Sequence, residues 1–387
     1  MRRDSFRLLL GMFVALMATG AWARTSNAQI DEAVRAAMAR THAQGAAIAL
    51  IDEGQVTYVQ TYGARNAKGD PLTPDTIMYG ASLTKAVFGY LVTQLASEGK
   101  LDLDTPIARM LPEPLPSYGN LDAYGHWGDL AADARWKRVT PRHALNHSTG
   151  FANFADLEPD QKLRFHFDPG SRYAYSGEGI SLLQFGIEQG LGLSVESELQ
   201  ARFFKPLGMT RTSLIWQDSF GGNLADGWDE AGKIEPHDDR SRVRAAGSMD
   251  TTIQDLAKMA AAMVRGEGLP PKWRQAFAAG TQPITSKSQF PTLDNEAPAA
   301  EQTSAKAALG VIAFTGPQGR GWLKGGHNEV TANTLVCLEE RQRCLLVLGN
   351  DVRIETAFPA LVRVALGETG VPYRWEYGAA KVPDSPQ

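Results

Sequence analysis

The run from Ala86 to Ala96 is strongly apolar, and such a segment can only be stable if the rest of the chain folds around it. Leu83, Val87, Tyr90, Leu91 and Leu95 recur at helical spacing and Gly99 supplies the stop, so the run reads as a buried helix. Ser82-Leu83-Thr84-Lys85 opens that helix after the turn Tyr79-Gly80-Ala81. Positions three apart share one helix face, with Cβ atoms about 5–6 Å apart. The amide of Ser82 also lies at the positive end of the helix dipole. A serine hydroxyl is a poor nucleophile near neutral pH, but a desolvated, neutral lysine beside it can take its proton. The pair therefore reads as a nucleophile with its own base, suited to acyl transfer. The competing reading of these four residues is a helix-capping serine followed by a surface lysine.

Length and composition suit a two-lobed enzyme: 387 residues exceed the usual single core, and 43% are hydrophobic. Net charge is only −4, with no basic run beyond the N-terminus, which gives no footprint for nucleic acid. Arg2, Arg3 and Arg7 precede an apolar run from Leu8 to Ala18, then Ala21-Trp22-Ala23. That pattern predicts a signal peptide over 1–23, too short for a membrane span, and a mature chain in the periplasm or outside the cell.

The spacing predicts a first amphipathic helix from Ile30 to His42 and strands Ala46 to Ile51 and Val56 to Tyr62, joined by the turn Asp52-Glu53-Gly54-Gln55. Further strands are expected at Gly310 to Thr315, Trp322 to Lys324, Thr331 to Leu338 and Cys344 to Leu348, and a helix at Ile354 to Leu366. Pairing Leu338 with Arg343 would set Cys337 directly opposite Cys344. An oxidising compartment allows a disulfide there, and two buried thiols are the alternative.

A series of stations resembles the serine β-lactamase and penicillin-binding-protein superfamily, most closely its class C and family VIII-type esterase branch. They are Tyr62-Gly63-Ala64, Thr73-Pro74-Asp75-Thr76, Gly80 to Lys85, Glu98 to Asp104, Leu145 to Gly150, Asp168-Pro169-Gly170, Pro206 to Met209 and Thr251 to Leu256, in family order. The resemblance spans most of residues 28 to 366. It implies an α/β fold of the β-lactamase/transpeptidase-like kind: an antiparallel sheet flanked by helices, with an inserted mainly helical domain. The sheet domain would take 24–84 and 300–387, and the helical domain 85–299.

The resemblance also implies a site. Tyr175-Ser176-Gly177 matches the family's Y-x-N element and Lys324-Gly325-Gly326 its K-T-G element. Ser82 would attack a carbonyl, Lys85 and Tyr175 would move protons, and Lys324 would attract negative charge. Two ammonium neighbours are expected to make the Tyr175 phenol more acidic. The backbone N–H groups of Ser82 and His327 would form the oxyanion hole, and Gly177, Gly325, Gly326 and His327 would contact substrate. Gly177 stands where the family usually has an asparagine that binds the amide of a β-lactam substituent. Its loss tilts the expectation from β-lactams toward esters. His327 is expected to crowd the pocket wall and to meet substrate or Glu329.

Three loops read as elaborations. Tyr118 to Trp136 is either an aromatic lid or a surface loop anchored by its own rings; Trp216 to Arg244 reads as a solvated charged segment; Ser286 to Ala307 reads as a mobile polar connection. His143 and His147 are four apart but lack the glutamate of a zinc-protease helix, so no metal is expected. No G-x-S-x-G surrounds Ser82, which argues against the α/β-hydrolase route. The expected function is a serine hydrolase acting through an acyl-enzyme on esters or small amides, without cofactor. A class C-like β-lactamase or D-alanyl-D-alanine carboxypeptidase, and a non-catalytic binding protein on the same fold, are the alternatives.

Overall fold

A computed structural model describes residues 25–379 and 381–382, so the predicted signal segment lies outside the described residues. Helix α1 (Asn27–Thr41) starts at Ser26, whose hydroxyl and the Gln29 side chain form a reciprocal cap, and it buries Ile30, Val34 and Ala37. Strands β1 (Gly45–Asp52) and β2 (Gln55–Gly63) form a hairpin. Glu53 and Gly54 both adopt positive φ, 50° and 71°, as a two-residue hairpin turn requires. Helix α2 (Leu83–Ser97) is buried on nearly every side, as its composition demands. Its Gly89 is needed there, because a Cβ would collide with the carbonyl of Leu309.

Helices α3 (Gly177–Phe185) and α4 (Ile253–Arg265) follow. The chain then returns through β3 (Gln282–Pro283), β4 (Lys306–Ala307), β5 (Ile312–Gly316), β6 (Gly319–His327), β7 (Ala332–Leu338) and β8 (Arg343–Gly349). It closes with α5 (Phe358–Leu366) and α6 (Tyr373–Tyr377). The expected helix from Ile354 begins as a tighter 3-10 segment, Val352–Ala357, before α5.

The strands form one eight-stranded sheet in the order β2-β1-β8-β7-β6-β5-β4-β3, every neighbouring pair antiparallel. Both ends of the chain thus build the centre of one sheet, flanked by helices on both faces. The core shows the strand period directly: Ala47, Ala49 and Ile51 join the cluster around α2 and α4, while Ala46 and Ile48 join the one around α1 and α5. Strand β3 and helix α4, which packs on β1 and β8, belong to this sheet layer although they fall within 85–299. Cys337 and Cys344 are directly opposed across β7 and β8 and are joined as a disulfide, which decides between the two alternatives.

Candidate active site

The turn into α2 is tightly held. Ala81 has φ +46°, a left-handed conformation that costs a non-glycine residue about 1–3 kcal/mol. The Gly80 N–H donates to the Met249 carbonyl (2.8 Å), the Thr84 hydroxyl to the Ala81 carbonyl (2.6 Å), and Asn333 Nδ2 to the Tyr79 carbonyl (2.9 Å). Among the described residues, the Ser82 N–H donates to no acceptor. It faces β6 at Gly326, where a Cβ would sit 3.0 Å from the Ser82 nitrogen. Glycine at 326 is what allows that strand to approach the nucleophile's turn.

Two side chains converge on the Ser82 hydroxyl. Lys85 Nζ lies 3.0 Å from Ser82 Oγ and the Tyr175 phenol 2.9 Å from it. Lys85 also donates to the Ala246 carbonyl and is 1% exposed. Burial, aided by the charge of Lys324, drives its pKa well below the ordinary lysine value, favouring the neutral amine a base must be. Lys324 Nζ lies 5.2 Å from the centre of the Tyr175 ring and donates to the Gly325 carbonyl at 2.6 Å. Burial lowers its pKa to about 8, and Glu376 partly opposes the shift.

The expectation for Tyr175 is corrected. Burial raises the phenol's pKa and outweighs the Ser82 hydrogen bond that would lower it. Neither Lys85 nor Lys324 is among the groups that shift the phenol. Tyr175 is therefore a protonated phenol that can donate and relay, not a standing phenolate.

Sequence reasoning missed His147 here. Its ring lies 4.4 Å from that of Tyr175, and its Nδ1 accepts the Ser176 N–H at 3.2 Å. Burial first, then Lys85 and Lys324, depress its pKa well below the usual value, so it stands as a neutral ring that orients Tyr175. His143 instead completes the reciprocal cap of its own short helix with Thr140.

Alternation along β6 separates Lys324, Gly325, Gly326 and His327. The built Cβ of Gly326 faces the Ser82 turn and that of Gly325 faces Glu376 on α6, so Lys324 shares the nucleophile's face and His327 the opposite one. His327 consequently pairs with Glu355, not with Glu329: Nδ1 to Oε1 is 2.8 Å. Burial opposes charge on Glu355, but His327 and Lys381, whose Nζ is 2.8 Å from Oε2, hold its carboxyl below the usual range.

The cleft in front of these groups encloses roughly 1050 Å³. One wall is the segment 121–126, so the loop read as a lid borders the site while Trp127 and Trp136 anchor it in the core. Asp229, Glu230 and Arg244 also line the cleft, placing the segment read as solvated at its rim. Phe290, from the segment read as mobile, packs 5.4 Å from Tyr175 and 5.7 Å from His327, and is held by the Gln289 N–H on the Trp375 carbonyl (2.8 Å). Gly177 is not among the lining residues; Phe154 is, and its ring occupies the space a side chain at 177 would need. Of the four large apolar residues exposed among the described residues, Phe154, Leu157 and Phe290 all border this cleft. Only Val56 lies elsewhere.

A family model described as beta-lactamase matches residues 30–358. Monacolin J acid methylbutanoyltransferase of Aspergillus terreus is 27% identical over 209 residues, covering 47% of this chain and 50% of the relative. Esterase EstB of Burkholderia gladioli is 26% identical over 209 residues, again 47% and 50%. The chain thus spans about half the length of these curated relatives. The solved structure of D-alanine carboxypeptidase AmpC from Burkholderia cenocepacia superposes with a TM-score of 0.68 at 17% identity, covering 87% of this chain and 97% of that one.

Proposed function

The chain belongs to the beta-lactamase family, and from that membership we propose that it is a serine hydrolase working through an acyl-enzyme on carboxylic esters or small amides. The observation that carries the reading is the convergence of Lys85 Nζ and the Tyr175 phenol on Ser82 Oγ. Ser82 Oγ attacks the carbonyl carbon while its proton passes to the neutral Lys85 amine. The N–H groups of Ser82 and His327 receive the oxyanion, and Lys324 supplies positive field beside the developing charge. Collapse returns a proton through the Tyr175 phenol to the leaving oxygen or nitrogen, and water then releases the acyl group by the reverse relay.

Esters are favoured because Phe154 fills the space beside Gly177 that an amide-binding side chain would use. The competing reading, a β-lactamase or D-alanyl-D-alanine carboxypeptidase, rests on the same three motifs. The Cys337–Cys344 disulfide and the basic-then-apolar N-terminal run support a site of action outside the cytoplasm.

A panel of p-nitrophenyl esters, nitrocefin and a D-Ala-D-Ala peptide tests the choice. The proposal expects kcat/KM to be highest on a short ester, and a higher value on nitrocefin would reverse the preference. A fluorophosphonate should add its mass to the tryptic peptide holding Ser82, and Ser82→Ala should abolish the label. Equal labelling of the alanine variant would remove Ser82 from the role of nucleophile.

A further inference from the structure

Gly325 sits in the motif strand with no side chain, and the volume that a side chain would occupy is already taken. A Cβ at 325 would overlap Oε1 of Glu376, a residue 4% exposed and contributed by α6 near the end of the chain. Its Oε2 is buried without a partner among the described residues. The helix that carries it is pinned to the same sheet face, since the Tyr377 hydroxyl donates to Thr334 Oγ1 at 2.9 Å and Thr334 is the cross-strand partner of Gly325. A buried carboxylate with one oxygen unpaired is costly unless it acts on a charge nearby.

We propose that Glu376 is a positioning residue whose carboxyl group replaces the missing side chain at 325 and fixes the Lys324-Gly325-Gly326 strand against the Ser82 turn. The proposal rests on the hydrolase reading for its catalytic consequence, not for its packing. The charges that bear on Glu376 are those of Lys324 and His327 of β6 and Glu355 of the 3-10 segment, and Glu376 in turn bears on Tyr173, Tyr175 and Tyr377. Burial and the Glu355 charge push the Glu376 carboxyl upward, and Lys324 and His327 pull it down. In return Glu376 is the group that raises Lys324 against the desolvation it suffers. The tyrosines are neutral and do not compete for this role.

Two measurements test it. Glu376→Gln keeps the shape and removes the charge. Glu376→Ala should lower kcat on a p-nitrophenyl ester by about tenfold or more, the scale at which misplaced groups already cost rate, and Glu376→Gln should recover most of that loss. A kcat for Glu376→Ala equal to that of the wild type, or no recovery with Glu376→Gln, overturns the proposal. The second is a cycle of Gly325→Ala, Glu376→Ala and the double variant, read by thermal melting of the full chain. Gly325→Ala should lower Tm in the wild-type background and do so much less once Glu376 is truncated. Equal losses in both backgrounds overturn the packing claim. Melting needs no activity, so a chain that fails to label at Ser82 would sink the hydrolase reading while still testing the contact between 325 and 376.

Discussion

Burial turns Lys85 into a base: at 1% exposure, with Lys324 pushing the same way, the amine holds its proton weakly. An arginine in its place would stay charged. Lys85→Arg should therefore lose ester hydrolysis as completely as Lys85→Ala, and steady-state kinetics near wild type in the arginine variant would contradict the base assignment. Tyr175→Phe keeps the ring against His147 and removes only the relay, with an expected loss of about 10²–10⁴-fold in kcat. Lys324, with a pKa near 8, gives a stability test as well. Its folded pKa lies below the ordinary lysine value of about 10.4, so between these limits the unfolded chain binds more protons and stability rises with pH. Urea unfolding should show a gain of roughly 1–3 kcal/mol from this residue between pH 8 and pH 10. Lys324→Met should remove that gain, and an unchanged slope would show that the ammonium is not buried as described.

The site is assembled where two elements are forced together. Helix α2 brings Ser82 and Lys85, and β6 brings Lys324, with glycine at 326 permitting the approach. At the start of α3 the same logic excludes a side chain at 177, because Phe154 lies over it. Gly177→Asn should therefore destabilise the fold by about 1–3 kcal/mol, the usual cost of overpacking. It should not improve nitrocefin hydrolysis on its own. Truncating the ring with Phe154→Ala should recover most of that stability in urea unfolding. A fully additive double variant would mean that the two positions do not compete for space.

At the scale of the whole chain, the last segment holds the site together from behind. Trp375 Nε1 donates to Ser286 Oγ at 3.0 Å, Tyr377 to Thr334, and Lys381 to Glu355, which in turn holds His327. Ending the chain at Gly370 should slow fluorophosphonate labelling of Ser82 by at least about tenfold, the scale at which misplaced groups already cost rate. Unchanged labelling would show that this segment only covers the surface. What was legible in the sequence is what neighbours in the chain decide. Ser82 and Lys85 share a helix face, the residues of the first hairpin turn announce it, and the direct opposition of Cys337 and Cys344 follows from strand period and turn length. The motif order carried the family and its fold. The remainder depends on contacts between residues far apart in sequence, such as Tyr175 with Ser82 across 93 positions. Local pattern does not specify which side chain fills which gap, so Phe154 over Gly177, Glu376 beneath Gly325 and Glu355 behind His327 emerged only from packing. The protonation of Tyr175 could not be read from its neighbours' charges either. Tertiary structure decided it, because desolvation depends on how completely the folded chain excludes water.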